Sequence, residues 1–86
     1  MKKIWVIVID EVSDYVDYNH KPKAYSKEED ARKEFESLKE EMKSDYKDEL
    51  KDGWCLDEGR NSCEVYNDGW YAQDHYSIHL YDVEVE

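Results

Sequence analysis

Ile4-Trp5-Val6-Ile7-Val8-Ile9 is an unbroken run of β-branched and aromatic residues. With the alternation of a strand, Ile4, Val6 and Val8 fall on one face and Trp5, Ile7 and Ile9 on the other. Both faces are apolar. That pattern predicts a central strand covered on two sides, because a strand with one wet face would alternate with polar residues.

Outward from this strand, Val12 to Tyr18 mixes acids with apolar residues and either extends the strand or opens a hairpin. Asn19 to Lys23 reads as a turn, since Pro22 has no N–H for a central ladder. Lys23-Ala24-Tyr25 reads as a short edge strand. Ser26 then opens a helix, with Glu29 three residues on completing a capping box. Glu28, Glu29 and Asp30 suit the positive end of the helix dipole. Ala31, Phe35, Leu38, Met42 and Tyr46 form one apolar stripe. Gly53 closes the helix after Leu50, Lys51 and Asp52.

Beyond the helix, Trp54-Cys55-Leu56 begins a strand before Asp57-Glu58-Gly59, and Cys63 to Tyr66 is another. Asn67-Asp68-Gly69 is a hairpin signal, returning through Trp70-Tyr71. His75 to Glu86 reads as a long final strand, with Tyr76, Ile78 and Leu80 on one face and His79, Tyr81, Val83 and Val85 on the other. The sum is a single α+β domain over residues 1–86. It is expected to be an antiparallel sheet of about four strands in β-α-β-β-β order, with one long helix packed on one face. One helix covers one face only. The other needs loops, aromatic side chains or a second copy of the chain, so a homodimer is a reasonable expectation.

The chain carries 23 acids against 12 Lys and Arg, a net charge of −11. Its distribution is uneven: residues 1–26 balance, while residues 54–86 hold eight acids against Arg60 alone, together with two Trp and four Tyr. Charge of this sign repels nucleic acid and anionic membrane surfaces, which leaves basic protein surfaces or cations as partners. The plainer alternative is solubility. Met1-Lys2-Lys3 resembles the start of a signal peptide, but the apolar run after it is too short and meets Asp10-Glu11. A cytoplasmic location, with Cys55 and Cys63 reduced, is therefore expected.

At ~100° per residue the helix sorts its charges by side. One flank holds Asp30, Glu34, Glu41, Asp45, Asp48 and Asp52, with Lys27 at its very start; the other holds Arg32, Lys39, Lys43 and Lys47, with Glu36 among them. The acidic flank runs ~33 Å, or one charge per ~5–6 Å of axis, against one phosphate per ~3.4 Å on a DNA strand. The helix alone is too sparse to replace a duplex. Asp57, Glu58, Glu64, Asp68, Asp82, Glu84 and Glu86 would fill the gap if they lay on the same side. The competing interpretation is a solvated helix laced with local ion pairs such as Glu28–Arg32 and Glu29–Lys33.

Cys55, Cys63, His75 and His79 have the spacing C-x7-C-x11-H-x3-H, which lacks the tight knuckle of zinc sites. On a strand the two His are ~13 Å apart, too far to share one ion. No catalytic signature, phosphate-binding glycine loop or calcium loop is present, and neither an enzyme nor a cofactor is expected. Trp5, Phe35 and Tyr76 read as core. Trp70 and Tyr71 read as interface anchors, since Trp and Tyr are enriched at hot spots.

Across Ala24-Tyr25-Ser26, the Glu-rich helix, Tyr66-x-x-Gly69-x-Tyr71 and Asp74-His75-Tyr76, the chain resembles small acidic proteins of phages and mobile elements. The resemblance is one of size, charge and element order. Some of those proteins are anti-CRISPR or anti-restriction inhibitors that occupy a DNA-binding groove. It implies a non-enzymatic inhibitor that seats on the basic surface of a nucleic-acid-binding protein or nuclease, without touching nucleic acid or membrane. The acidic helix flank and the later carboxylates would displace phosphate, with Trp70 and Tyr71 as anchors. The alternative is an assembly module that homodimerises through the apolar sheet face.

Overall fold

The computed structural model describes residues 2–13, 16–67 and 74–85. Eight elements follow in order: strands β1 (Lys2–Ser13), β2 (Val16–Asn19) and β3 (Lys23–Tyr25), helices α1 (Glu28–Asp45) and α2 (Lys47–Lys51), then strands β4 (Cys55–Glu58), β5 (Ser62–Tyr66) and β6 (His75–Val85). The α+β class with one long helix on an antiparallel sheet is as expected. The strand number and order are not: the sheet has six strands in the order β2-β1-β6-β5-β4, with β3 also on β1. Three strands precede the helix. Val12 and Ser13 extend β1, Val16 to Tyr18 belong to β2, and the β2 and β3 segments share one edge of β1. Segments this short carry little signal of their own. Their pairing with β1 defines them.

β1 lies inside the sheet, paired on both edges, but among the described residues only one of its two apolar faces is covered, which corrects the expectation of cover on both sides. It pairs with β6 over eleven positions, from Lys2↔Val85 to Val12↔His75. The register puts Ile7 beside Leu80 and Ile9 beside Ile78 on the helix side. There they meet Ala31, Phe35 and Met42 of α1 and Cys63 and Val65 of β5, all buried. Phe35 is the largest fully buried side chain, and burial of a ring this size stabilises by about 1.5–3 kcal/mol.

The helix starts one turn position later than its sequence suggests. Lys27, in extended conformation, is the N-cap and makes no side-chain cap bond, so the Ser26 capping box does not form. Ser26 sits one residue too early for its hydroxyl to reach the first free N–H groups. Glu28, Glu29 and Asp30 occupy the first turn instead and complement the dipole. The long helix breaks at Tyr46, whose ring lies 5.8 Å from Trp54 and 5.7 Å from Tyr76. Gly53 ends α2 at φ +101°, a conformation that glycine adopts without Cβ strain. Trp54 N–H then donates to the Glu49 carbonyl at 3.1 Å.

The opposite face of β1 and β6 carries Ile4, Val6 and Val8 beside Val83, Tyr81 and His79. No described element packs over it, and Tyr81, Val83 and Val85 are 51%, 45% and 39% exposed. Cys55 and Cys63 are free thiols. Alternation along β4 and β5 puts them on opposite faces of the sheet, so they cannot pair. No helix among the described residues is long and apolar enough to cross a membrane.

Candidate functional site

The two flanks of α1 meet different surroundings. The basic flank faces the β4–β5 hairpin. Lys39 Nζ lies 3.3 Å from Glu58 Oε1 and 3.4 Å from Glu36 Oε2. Lys43 Nζ donates to Glu58 Oε1 at 3.0 Å. Arg32 donates to the Arg60 carbonyl at 2.6 Å and to Asn61 Oδ1 at 2.7 Å. The hydrogen bonds from Lys43 and then Lys39 hold the Glu58 carboxyl below its ordinary pKa. The bond to Glu58 in turn raises that of Lys43. These three bases of α1 are spent inside the molecule.

The acidic flank has no such partner. Asp30, Glu41, Asp45, Asp48 and Asp52 are exposed, and among the described residues none of the five forms an ion pair. Glu34 pairs with Lys23 of β3 at 3.3 Å, which places this flank above the β3 edge of the sheet.

The carboxylates of β4 and β5 do not join it. Glu58 belongs to the basic flank. Asp57 and Glu64 are register partners. They alternate with Glu58, Cys63 and Val65, so they project from the sheet face turned away from the helix. Asp68, Trp70 and Tyr71 lie outside the described residues. Asp30, Glu34, Glu41 and Asp45 thus belong to α1, Asp48 and Asp52 come after its break at Tyr46, and Asp57, Glu58 and Glu64 lie apart on β4 and β5.

What joins the flank at its C-terminal end is a recess of about 690 Å³ between α1, α2 and the sheet. Its carboxylates are Glu11, Asp45, Glu49 and Asp74, and its rings are His20, Tyr46, Trp54 and Tyr76. Burial, with Glu11, Tyr76, Glu49 and Asp45 nearby, pushes the Tyr46 phenol up to about 12. Burial, then Glu11, Glu41 and Asp45, raises Tyr76 likewise. His20 Nε2 is 2.8 Å from Glu11 Oε1.

No family model, curated protein or solved structure matches the chain.

The site therefore rests on its own geometry. Catalysis by a His–carboxylate pair would need a hydroxyl or thiol within hydrogen-bond reach of the ring. Ser13 lines the same recess, yet His20 bonds only Glu11 among the described residues. A smaller recess of about 280 Å³ lies at the N-terminal end of α1, lined by Lys3, Arg32 and Arg60 with Glu28 and Asp82. Its cations are largely engaged: Arg32 as above, and Lys3 with Asp82 at 3.3 Å.

Glu11 and Glu49 are absent from the site expected on sequence grounds, and each left a signal there. Glu11 continues the helix-facing series Trp5, Ile7, Ile9 at period two. Glu49 follows Tyr46 at the next step of the apolar stripe and, at ~100° per residue, returns to the direction of Ala31. Each is an acid in a position its element otherwise gives to the core.

Proposed function

We propose that this chain is a non-enzymatic binding protein whose acidic helix flank seats on a basic protein surface, of the kind that nucleic-acid-binding proteins and nucleases expose. The proposal includes an inhibitory role of the phage or mobile-element type: a protein seated in such a groove displaces nucleic acid from it. One observation carries the reading. Arg32, Lys39 and Lys43 are engaged by Glu58 and the β4–β5 turn, while five carboxylates of the other flank have no cation partner among the described residues. A merely solvated helix gains from interleaved charges along each face; this one keeps one sign free over most of its length.

The charge spacing argues for a surface that complements Lys and Arg rather than one that copies a duplex. Asp57 and Glu64 face elsewhere, so the helix stays at one charge per ~5–6 Å of axis. Binding of this kind weakens as salt screens exposed charge. The test is retention of proteins from a bacterial lysate on the immobilised chain. Basic nucleic-acid-binding proteins should be held at low salt, released at high salt, and blocked from their nucleic acid when bound. Retention that ignores salt, or a retained protein that still binds nucleic acid, contradicts the proposal.

A second reading has its own observation. The uncharged strip of half-buried Ile4, Val6 and Val8 beside exposed Tyr81 and Val83 stands uncovered by any described element in a chain where 41% of residues are charged. A basic groove has no use for it, whereas a second copy related by a two-fold axis would cover it with the same strip. The reading is an assembly module that homodimerises through this face.

A further inference from the structure

We infer that two copies of the chain pack face to face through the uncovered side of the sheet with their strands antiparallel, so that Lys2 of each copy meets the acidic row around Asp10 of the other. The inference deepens the homodimer reading given above and rests on it.

The strand register lays out the charge on this face. Lys2 stands beside Val85 at one end of the β1–β6 pair. Ile4 beside Val83, Val6 beside Tyr81 and Val8 beside His79 follow. Next comes a row across four strands: Asp10, Ser77, Glu64 and Asp57. The face thus runs from a cation, over an uncharged middle, to a row of carboxylates. Asp10 has His75 at 3.3 Å. Among the described residues neither Glu64 nor Asp57 forms an ion pair.

This gradient selects the occupant. A basic surface gains nothing over the uncharged middle, and an acidic surface or anionic membrane is repelled by the carboxylate row. A second copy of the same face can match both parts. The gradient also selects the orientation. A two-fold axis along the strands lays each row on its own copy, carboxylates against carboxylates and Lys2 against Lys2, and like charges so placed oppose association. An axis across the strands, through the row of Val6 and Tyr81, reverses one copy. Ile4 then lies over Val8, and Lys2 and Val85 lie over Asp10 and Ser77. The two acidic rows end ~27 Å apart, at ~3.4 Å per residue.

The extent of the face is sufficient. β1 and β6 pair over eleven positions, which is ~34 Å of strand, and the flanking strands bring the projected face to ~600 Å² per copy. Two copies then bury ~1,200 Å², the lower bound of a specific interface. α1 lies on the other side of the sheet, so this packing leaves the acidic flank of each copy uncovered.

The test is a spin label on Lys2→Cys, an exposed position. Cys55→Ser removes the half-exposed native thiol, and Cys63 is buried. The labelled chain is mixed with isotope-labelled native chain at a concentration where sedimentation shows the dimer. Broadening of the native chain's amide signals is then read by nuclear magnetic resonance. Asp10, Ser77 and Glu64 should broaden several-fold more than Lys2 and Val85. A label on Asp10→Cys should give the reverse pattern, and it serves as the second variant should the first fail to fold. Broadening centred on Lys2 and Val85 from the label at Lys2 means parallel strands; it overturns the inference and leaves the homodimer standing. A dimer with no broadening on this face also overturns it. A native chain that stays monomeric removes the homodimer reading itself, and the inference with it.

Discussion

Glu11 of β1 and Glu49 of α2 border the same recess, and both act on the Tyr46 phenol between them. Burial is the larger cause of the rise to about 12, and the two carboxylates add to it. An acid from the sheet and an acid from the helix, each on a core-facing position, thus border one recess.

The raised phenol fixes a pH window. Tyr46 has a folded pKa of about 12 against an ordinary 10.0. Its contribution to stability is full below pH 10 and is lost as pH rises towards 12. Absorbance titration of tyrosinate in the folded protein should show a late step, which Glu11→Gln moves down. Titration of every tyrosine near the ordinary value would contradict the burial of this ring.

The seam between α1 and the β4–β5 hairpin should be weakest in acid. The folded pKa of Glu58 lies below 4.5 because Lys43 and Lys39 bond its carboxylate. Its stabilising effect is present above that value and is lost as pH falls through the lower folded value. Thermal melts of the native chain and of Glu58→Gln should differ at neutral pH and converge in acid. A difference that stays constant with pH would mean that the bonds from Lys39 and Lys43 contribute nothing.

Phe35 anchors the core from the middle of α1. Phe35→Ala should cost about 3–5 kcal/mol. For a domain of this size the midpoint of thermal unfolding should fall by more than about 10 °C. A smaller fall would mean that the helix docks loosely.

The exposed strip on the far side of the sheet separates the two readings of function. If a second copy covers it, sedimentation equilibrium should show a dimer that Val83→Lys converts to a folded monomer, since Val83 is exposed in the single chain, with a melting temperature that no longer rises with protein concentration. A native chain that stays monomeric at high concentration removes the assembly reading.

Legibility in the sequence varied with how much each feature depends on neighbours. The Ile4–Ile9 run announced an interior strand, but its two apolar faces did not bring cover on both sides. The stripe from Ala31 to Tyr46 announced its helix because five residues keep one direction. β2 and β3 are three or four residues each and were visible only as fragments; pairing with β1, not propensity, makes them strands. The sides on which α1 carries its residues were readable from the helical period. The position of Asp57, Glu58 and Glu64 was not, because a shift of one residue in a strand exchanges its faces. Glu11 and Glu49 were hidden by abundance: among 23 acids, two in core-facing positions do not stand out until the elements that carry them are brought together.

Charge reversal on one flank decides most directly whether the acidic helix is a binding surface. Asp45→Lys with Asp48→Lys should abolish retention of basic lysate proteins and leave the circular dichroism spectrum unchanged. The same reversal at Asp57 and Glu64, on the far face of the sheet, alters net charge equally and should leave retention nearly intact. Equal loss from both pairs would mean that total charge, and not this flank, does the binding.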